Sequence, residues 1–141
     1  MVQLYIFDMG GLVIEEDLLT RHFHPELDGD VAEIINRLKT ECRVVAGTNT
    51  IAPHYNLHLE RGDYGVFDAV YASHLIGQAK PDPAFYSHIL DRERCPPDPA
   101  VFVDDVHTNV KAAGALGIHS LLFTDAGQLK KDLAALAESS I

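Results

Sequence analysis

The sequence predicts an α/β fold: a doubly wound, five-stranded parallel sheet with helices on both faces, in one domain spanning residues 1–141. Three observations predict it. Short apolar runs recur without the polar alternation of a half-exposed strand, as strands covered on both faces do. Helical patterns fall between these runs, so the strands are joined by crossovers, which are right-handed. The chain has 141 residues, 47% apolar and 23% charged, which suits one compact core and no disordered segment.

The first strand is expected over residues 2–7, where only Gln3 is polar. "DVAEIINRLKTE" then sets Val31, Ile34, Ile35 and Leu38 on one helical face, with Asp30 as the N-cap. A second strand falls at 43–46, followed by a helix that carries His54 and His58 four residues apart. Such a pair can ligate a metal, but no acidic or thiol partner stands nearby and a packed or solvated pair is expected. The third strand lies at 69–72, and "PDPAFYSHILDRE" follows as a helix with Pro83 in its first turn. A fourth strand at 100–103 leads into "HTNVKAAGALG", which ends on a C′ glycine, Gly117. The fifth strand, at 120–123, precedes a closing helix, "AGQLKKDLAALAES".

In such sheets ligands bind beyond the carboxyl ends of the strands, so the residues just past each strand are the candidates. Strand one ends in Asp8, strand two in Gly47, Thr48 and Asn49, and strand four in Asp104 and Asp105. After the third strand and a loop comes "KPDP", beginning at Lys80. Asp8 and Asp105 together could hold a hard divalent cation such as Mg²⁺. Thr48, Asn49 and Lys80 could bind phosphate oxygens, and a carboxylate could attack phosphorus.

These four motifs, "FDMGG", "GTN", "KPDP" and "FVDDVHTN", resemble in order and placement those of the haloacid dehalogenase superfamily. The likeness is greatest to its glucose-1-phosphatase-like and epoxide-hydrolase-N-terminal-like branch. It implies a Rossmann-like core and an Mg²⁺-dependent phosphomonoesterase that works through an aspartyl-phosphate on a small phosphorylated metabolite such as a sugar phosphate. By the same resemblance Asp8 is nucleophile and metal ligand, and Lys80 is the catalytic cation. Thr48 and Asn49 bind the phosphoryl group, with Gly47 an alternative to Thr48. The Gly10 carbonyl and Asp105 complete the metal site, and Asp104 and Asn109 support it from behind.

Two departures stand out against that family. Its phosphatases typically carry a second aspartate two places after the nucleophile, as general acid and base; here that place is Gly10. Without a positioned acid, which typically contributes ~10²–10⁴-fold, substrates with good leaving groups are expected: sugar 1-phosphates, acyl phosphates or aryl phosphates. Relatives also insert a helical cap after the first strand, whereas residues 12–29 leave room only for a short flap. The site is then open to water. "RHFHPELDGD" looks like the segment that re-enters the core after a cap, which favours a cap lost or left out over an old capless lineage. The alternatives to a phosphatase are a truncated or non-catalytic module of the same fold and, ranked lower, a 2-haloacid dehalogenase, which needs no metal and has no use for Asp105.

With 21 acidic and 11 basic residues, a net charge of −10, the surface suits neither nucleic acid nor anionic membrane. No apolar run approaches the ~18 residues of a membrane span, and no signal segment is read at the start. Cys42 and Cys95 read as two reduced thiols. A cytoplasmic protein, monomeric or homo-oligomeric, is the expectation.

Overall fold

A computed structural model describes residues 2–8, 13–14, 26–27 and 29–139. Five parallel strands form one sheet in the order β5-β4-β1-β6-β7. These are β1 (Leu4–Phe7), β4 (Arg43–Thr48), β5 (Ala69–Ala72), β6 (Ala100–Asp104) and β7 (His119–Leu122). A separate antiparallel pair, β2 (Val13–Ile14) with β3 (Glu26–Leu27), lies in the short segment after β1. The rest of the expected flap at 12–29 lies outside the described residues, apart from Gly29. No helix among the described residues is long and apolar enough to cross a membrane.

Period-two alternation explains why the strand sequences are apolar throughout. Tyr5, Phe7, Val44, Ala46, Val101 and Val103 join one core cluster, which includes Val31, Ile34 and Ile35 of α1 (Gly29–Leu38) and Leu129 of α6 (Ala126–Ser139). Leu4, Ile6, Val45, Ala100 and Phe102 join the other, with Phe85, Tyr86 and Ile89 of α4 (Pro83–Glu93) and Ala113 of α5 (His107–Ala115). The three central strands, β1, β4 and β6, are therefore buried on both faces, and each fully buried aliphatic or aromatic side chain contributes about 1.5–3 kcal/mol. The remaining helices are α2 (Ala52–Arg61) and the one-turn α3 (Ser73–Ile76).

The helix ends follow local chemistry. Asp82 caps α4, its carboxylate accepting a 2.9 Å hydrogen bond from the Ala84 amide, and Pro83 opens the helix. Gly117 follows α5 at φ +90°, as a C′ glycine should. At α1 the expectation needs correction. The helix starts at Gly29, so Asp30 is not its cap but lies in the first turn, where a carboxylate still favours the helix dipole. The last strand likewise runs one residue earlier than expected, His119–Leu122.

One polar clip ties three elements together. Glu93 at the end of α4 accepts two hydrogen bonds from Arg43 of β4, at 2.9 and 3.1 Å, and a third from the Tyr71 hydroxyl of β5 at 2.5 Å. Burial pushes the Glu93 carboxyl up, but the bonds from Arg43 and Tyr71 and the guanidinium charge outweigh it, leaving the group below its ordinary range. A lowered carboxylate contributes stability that is present above its unfolded pKa and lost as pH falls through the folded one. Glu93→Gln is therefore expected to cost about 1–2 kcal/mol at pH 7. In urea unfolding its gap from wild type should close below the ordinary glutamate range.

Candidate active site

The strand order places the topological switch point at β1, with β4 on one side and β6 on the other. The same alternation that builds the core selects which strand-end groups meet. Asp8 follows Phe7, Gly47 follows Ala46, and Asp104 ends β6, so all three continue the face covered by α4 and α5. Lys80 enters that corner from the loop before α4, its peptide to Pro81 being cis.

Lys80 is the hub. Its Nζ donates to Asp8 Oδ1 at 2.6 Å, to Asp104 Oδ2 at 2.9 Å and to the Gly47 carbonyl at 2.9 Å. An ammonium has three N–H donors, so this set saturates it. The Lys80 side chain is 1% exposed, and its charge also lies 5.6 Å from the Phe102 ring centre and 6.0 Å from that of Phe85. Gly47 is fixed by packing as well: a Cβ there would stand 3.0 Å from Ile6 Cγ2 and 3.2 Å from Ile89 Cδ1. That close approach is what lets the carbonyl meet the lysine.

Asp104 is held from every side. Besides Lys80, Asn109 Nδ2 donates to Oδ2 at 3.0 Å and the Val106 amide donates to Oδ1 at 2.9 Å. Asn109 is itself anchored, its carbonyl accepting from the Tyr86 hydroxyl at 2.8 Å. Burial pushes that hydroxyl well above the ordinary tyrosine range, with the charges of Asp104 and Asp8 acting the same way. Asp105 is exposed. One carboxylate oxygen from each of Asp8, Asp104 and Asp105 lies within 4.8 Å of the others. The Asp105 carboxyl is pushed up to about 6, first by burial, then by the Asp8 charge and by hydrogen bonds with Asp104 and Asp8.

Charge and donor type fit a divalent cation. Three carboxylates against one ammonium leave two uncompensated negative charges when all are ionised. Hard oxygen ligands of this kind suit Mg²⁺.

The other expected residues divide. Asn49 clamps the Lys80 backbone, its Oδ1 accepting from the Lys80 amide and its Nδ2 donating to the Lys80 carbonyl, both at 2.9 Å. Its side chain thus positions the lysine, a role that the sequence expectation of phosphate binding did not include. Thr48 is buried at the end of β4, opposite Ala72, and alternates onto the α1 and α6 face away from Gly47. Gly10 lies outside the described residues. His58 is buried with its ring 5.4 Å from that of Tyr64, and neither His54 nor His58 belongs to the acidic group. Sequence reasoning missed the Gly47 carbonyl, the Val106 amide and Tyr86, because none leaves a side-chain signal of catalysis.

Residues 18–117 match the family model described as a haloacid dehalogenase-like hydrolase. The chain belongs to this family. Among curated proteins it is 35% identical over 100 residues to sesquiterpene phosphatase astK of Aspergillus oryzae, covering 70% of the chain and 51% of that protein. It is 34% identical over 92 residues to drimenol cyclase drtB of Aspergillus calidoustus, covering 64% of the chain and 17% of that protein. The chain thus spans about half or less of these relatives. Among solved structures, a HAD-family enzyme from Bacteroides thetaiotaomicron in complex with magnesium and inorganic phosphate aligns at a TM-score of 0.75. It is 15% identical, with 90% of this chain and 96% of that one covered. That likeness, together with the sheet order, shows the haloacid dehalogenase core fold.

Proposed function

We propose that this member of the hydrolase family is an Mg²⁺-dependent phosphomonoester hydrolase acting through an aspartyl-phosphate at Asp8. The observation that supports it is the Lys80 ammonium shared between Asp8 and Asp104 at the switch point, with Asp105 alongside. A buried lysine with two carboxylates is costly to assemble, and it suits a site where a dianionic phosphoryl group must approach a carboxylate.

In this reading Asp8 and Asp105, with the Gly10 carbonyl that the family resemblance implies, would hold Mg²⁺, which would supply positive charge to offset the phosphoryl oxygens. Asp8 attacks phosphorus; the P–O bond to the leaving group breaks, and the leaving oxygen takes its proton from water, since position 10 offers no acid. A second water then attacks the phosphorus of the acyl phosphate, releasing phosphate and restoring the Asp8 carboxylate. Lys80 fixes the attacking carboxylate and offsets its charge, while Asn49 and Asn109 hold Lys80 and Asp104 in register. The Asn49 side chain being committed to the Lys80 backbone, its backbone N–H would receive phosphoryl oxygens at the end of β4, beside the Thr48 hydroxyl of the same strand end.

The test is hydrolysis of p-nitrophenyl phosphate and glucose 1-phosphate with and without Mg²⁺. Metal-dependent release of phosphate supports the reading; a folded protein inert towards both, with Mg²⁺ present, contradicts it.

A pH dependence follows from Asp105. Its folded pKa, about 6, lies above the ordinary value of 3.8. A raised carboxylate contributes stability below its unfolded pKa that is lost as pH rises through the folded one. The metal-free protein should therefore weaken between roughly pH 4 and 7, and a cation that needs Asp105 ionised should reverse this. Thermal melts are expected to show a larger upward shift with Mg²⁺ at pH 7.5 than at pH 5. An equal shift at both would count against Asp105 as a ligand.

A further inference from the structure

Large apolar side chains on the described surface are not scattered. Ile51, Leu75, Val106 and Leu122 are 57%, 61%, 45% and 40% exposed, and all four follow or end strands at the carboxyl rim. Only one other large apolar residue among the described ones, Leu59, is comparably exposed. Single exposed apolar residues need no explanation, but a concentration of them marks a binding surface.

The structure ties each of them to the candidate site. Ile51 stands two residues after Asn49, which clamps Lys80. Leu75 sits on α3, which is joined to the Ile51 loop by two hydrogen bonds between Ser73 Oγ and the Thr50 backbone, at 3.0 and 3.1 Å. Val106 donates its amide to Asp104 while its side chain faces out. Leu122 lies level with Asp104 in the register of β6 and β7. Strands spaced about 4.8 Å apart therefore put one apolar pair beyond β4 and β5, another beyond β6 and β7, and Asp8 between them.

We propose that these residues form a cradle for the leaving group, and that the substrate is a phosphomonoester with an extended hydrocarbon body. This rests on the phosphatase reading: a phosphoryl group at Asp8 leaves the rest of the ester lying across this rim. A sugar there would meet aliphatic side chains in place of hydroxyl partners, whereas a hydrocarbon chain covers them and is itself withdrawn from water. Each methylene fully buried tightens binding about fourfold, and an open rim, covering one side of the chain, gives part of that.

Non-hydrolysable alkylphosphonates separate binding from turnover. With Mg²⁺ present, calorimetry should show octylphosphonate binding at least about tenfold more tightly than ethylphosphonate. Ile51→Asn and Leu75→Asn should each remove at least about threefold of that preference. Leu59→Asn, on α2 about 10 Å along the helix from its first residue, should keep all of it. Equal affinity for both phosphonates overturns the cradle alone. Absence of binding to either overturns the phosphatase reading together with it. Sedimentation that reveals a dimer dispersed by Ile51→Asn or Leu75→Asn also overturns the proposal, by assigning the rim to a second copy of the chain.

Discussion

Asp8→Asn is expected to lower Mg²⁺-dependent phosphate-ester turnover by roughly 10⁴-fold or more, the scale on which loss of a nucleophile acts, while the fold persists. An asparagine oxygen can still accept the 2.6 Å bond that Lys80 donates to Asp8, so the ammonium keeps its three partners. What changes is charge. With one carboxylate fewer beside Asp105, the electrostatic push that helps raise the Asp105 carboxyl is relieved. The variant should therefore unfold in chelator at a temperature no lower than wild type, with its activity gone. A variant that loses both together would point to a structural role for Asp8.

Lys80→Met has the opposite signature. Asp8 and Asp104 are 6% and 1% exposed, and without the ammonium both carboxylates lose the positive charge that Lys80 brings to them. Removing one member of a buried charge set costs about 3–5 kcal/mol, a large share of the 5–15 kcal/mol that holds a domain of this size folded. Urea unfolding should show this loss, and saturating Mg²⁺ should recover part of it by supplying positive charge near the same carboxylates. A change under 1 kcal/mol would mean that the carboxylates have other partners enough. Turnover should fall with stability, because in the proposed mechanism Lys80 also orients the carboxylate that attacks.

The carboxylates and the lysine were legible in the sequence for a simple reason. An apolar run that stops at an acid can be recognised without knowing the fold, and the rule for parallel sheets then says where that acid goes. Asp8, Asp104 and Lys80 meet as that reasoning expects. Which face of the sheet each residue takes depends on counting alternation to a strand's last residue. The sequence blurs that count where β4 runs on to Thr48 and β6 to Asp104, so the separation of Thr48 from Gly47 could not be foreseen. Asn49 illustrates another limit. Its amide looks suited to an anion, yet the structure commits both ends to the Lys80 backbone, 31 residues away. Such a clamp exists only once the loops after β4 and β5 are brought side by side. Glu93, Arg43 and Tyr71 are hidden in the same way, each an ordinary residue until the register of β4, β5 and α4 joins them.

The most direct test of the central claim is to trap the covalent intermediate. The protein is mixed with a phosphoryl donor and Mg²⁺, quenched in acid within a single turnover, reduced with borohydride and mapped by peptide mass spectrometry. The account predicts that the reduced acyl phosphate lies on the peptide carrying Asp8, at that residue, and is absent from Asp8→Asn. Modification of Asp104 or Asp105 instead, or Mg²⁺-dependent turnover with no protein-bound phosphoryl group, would contradict it.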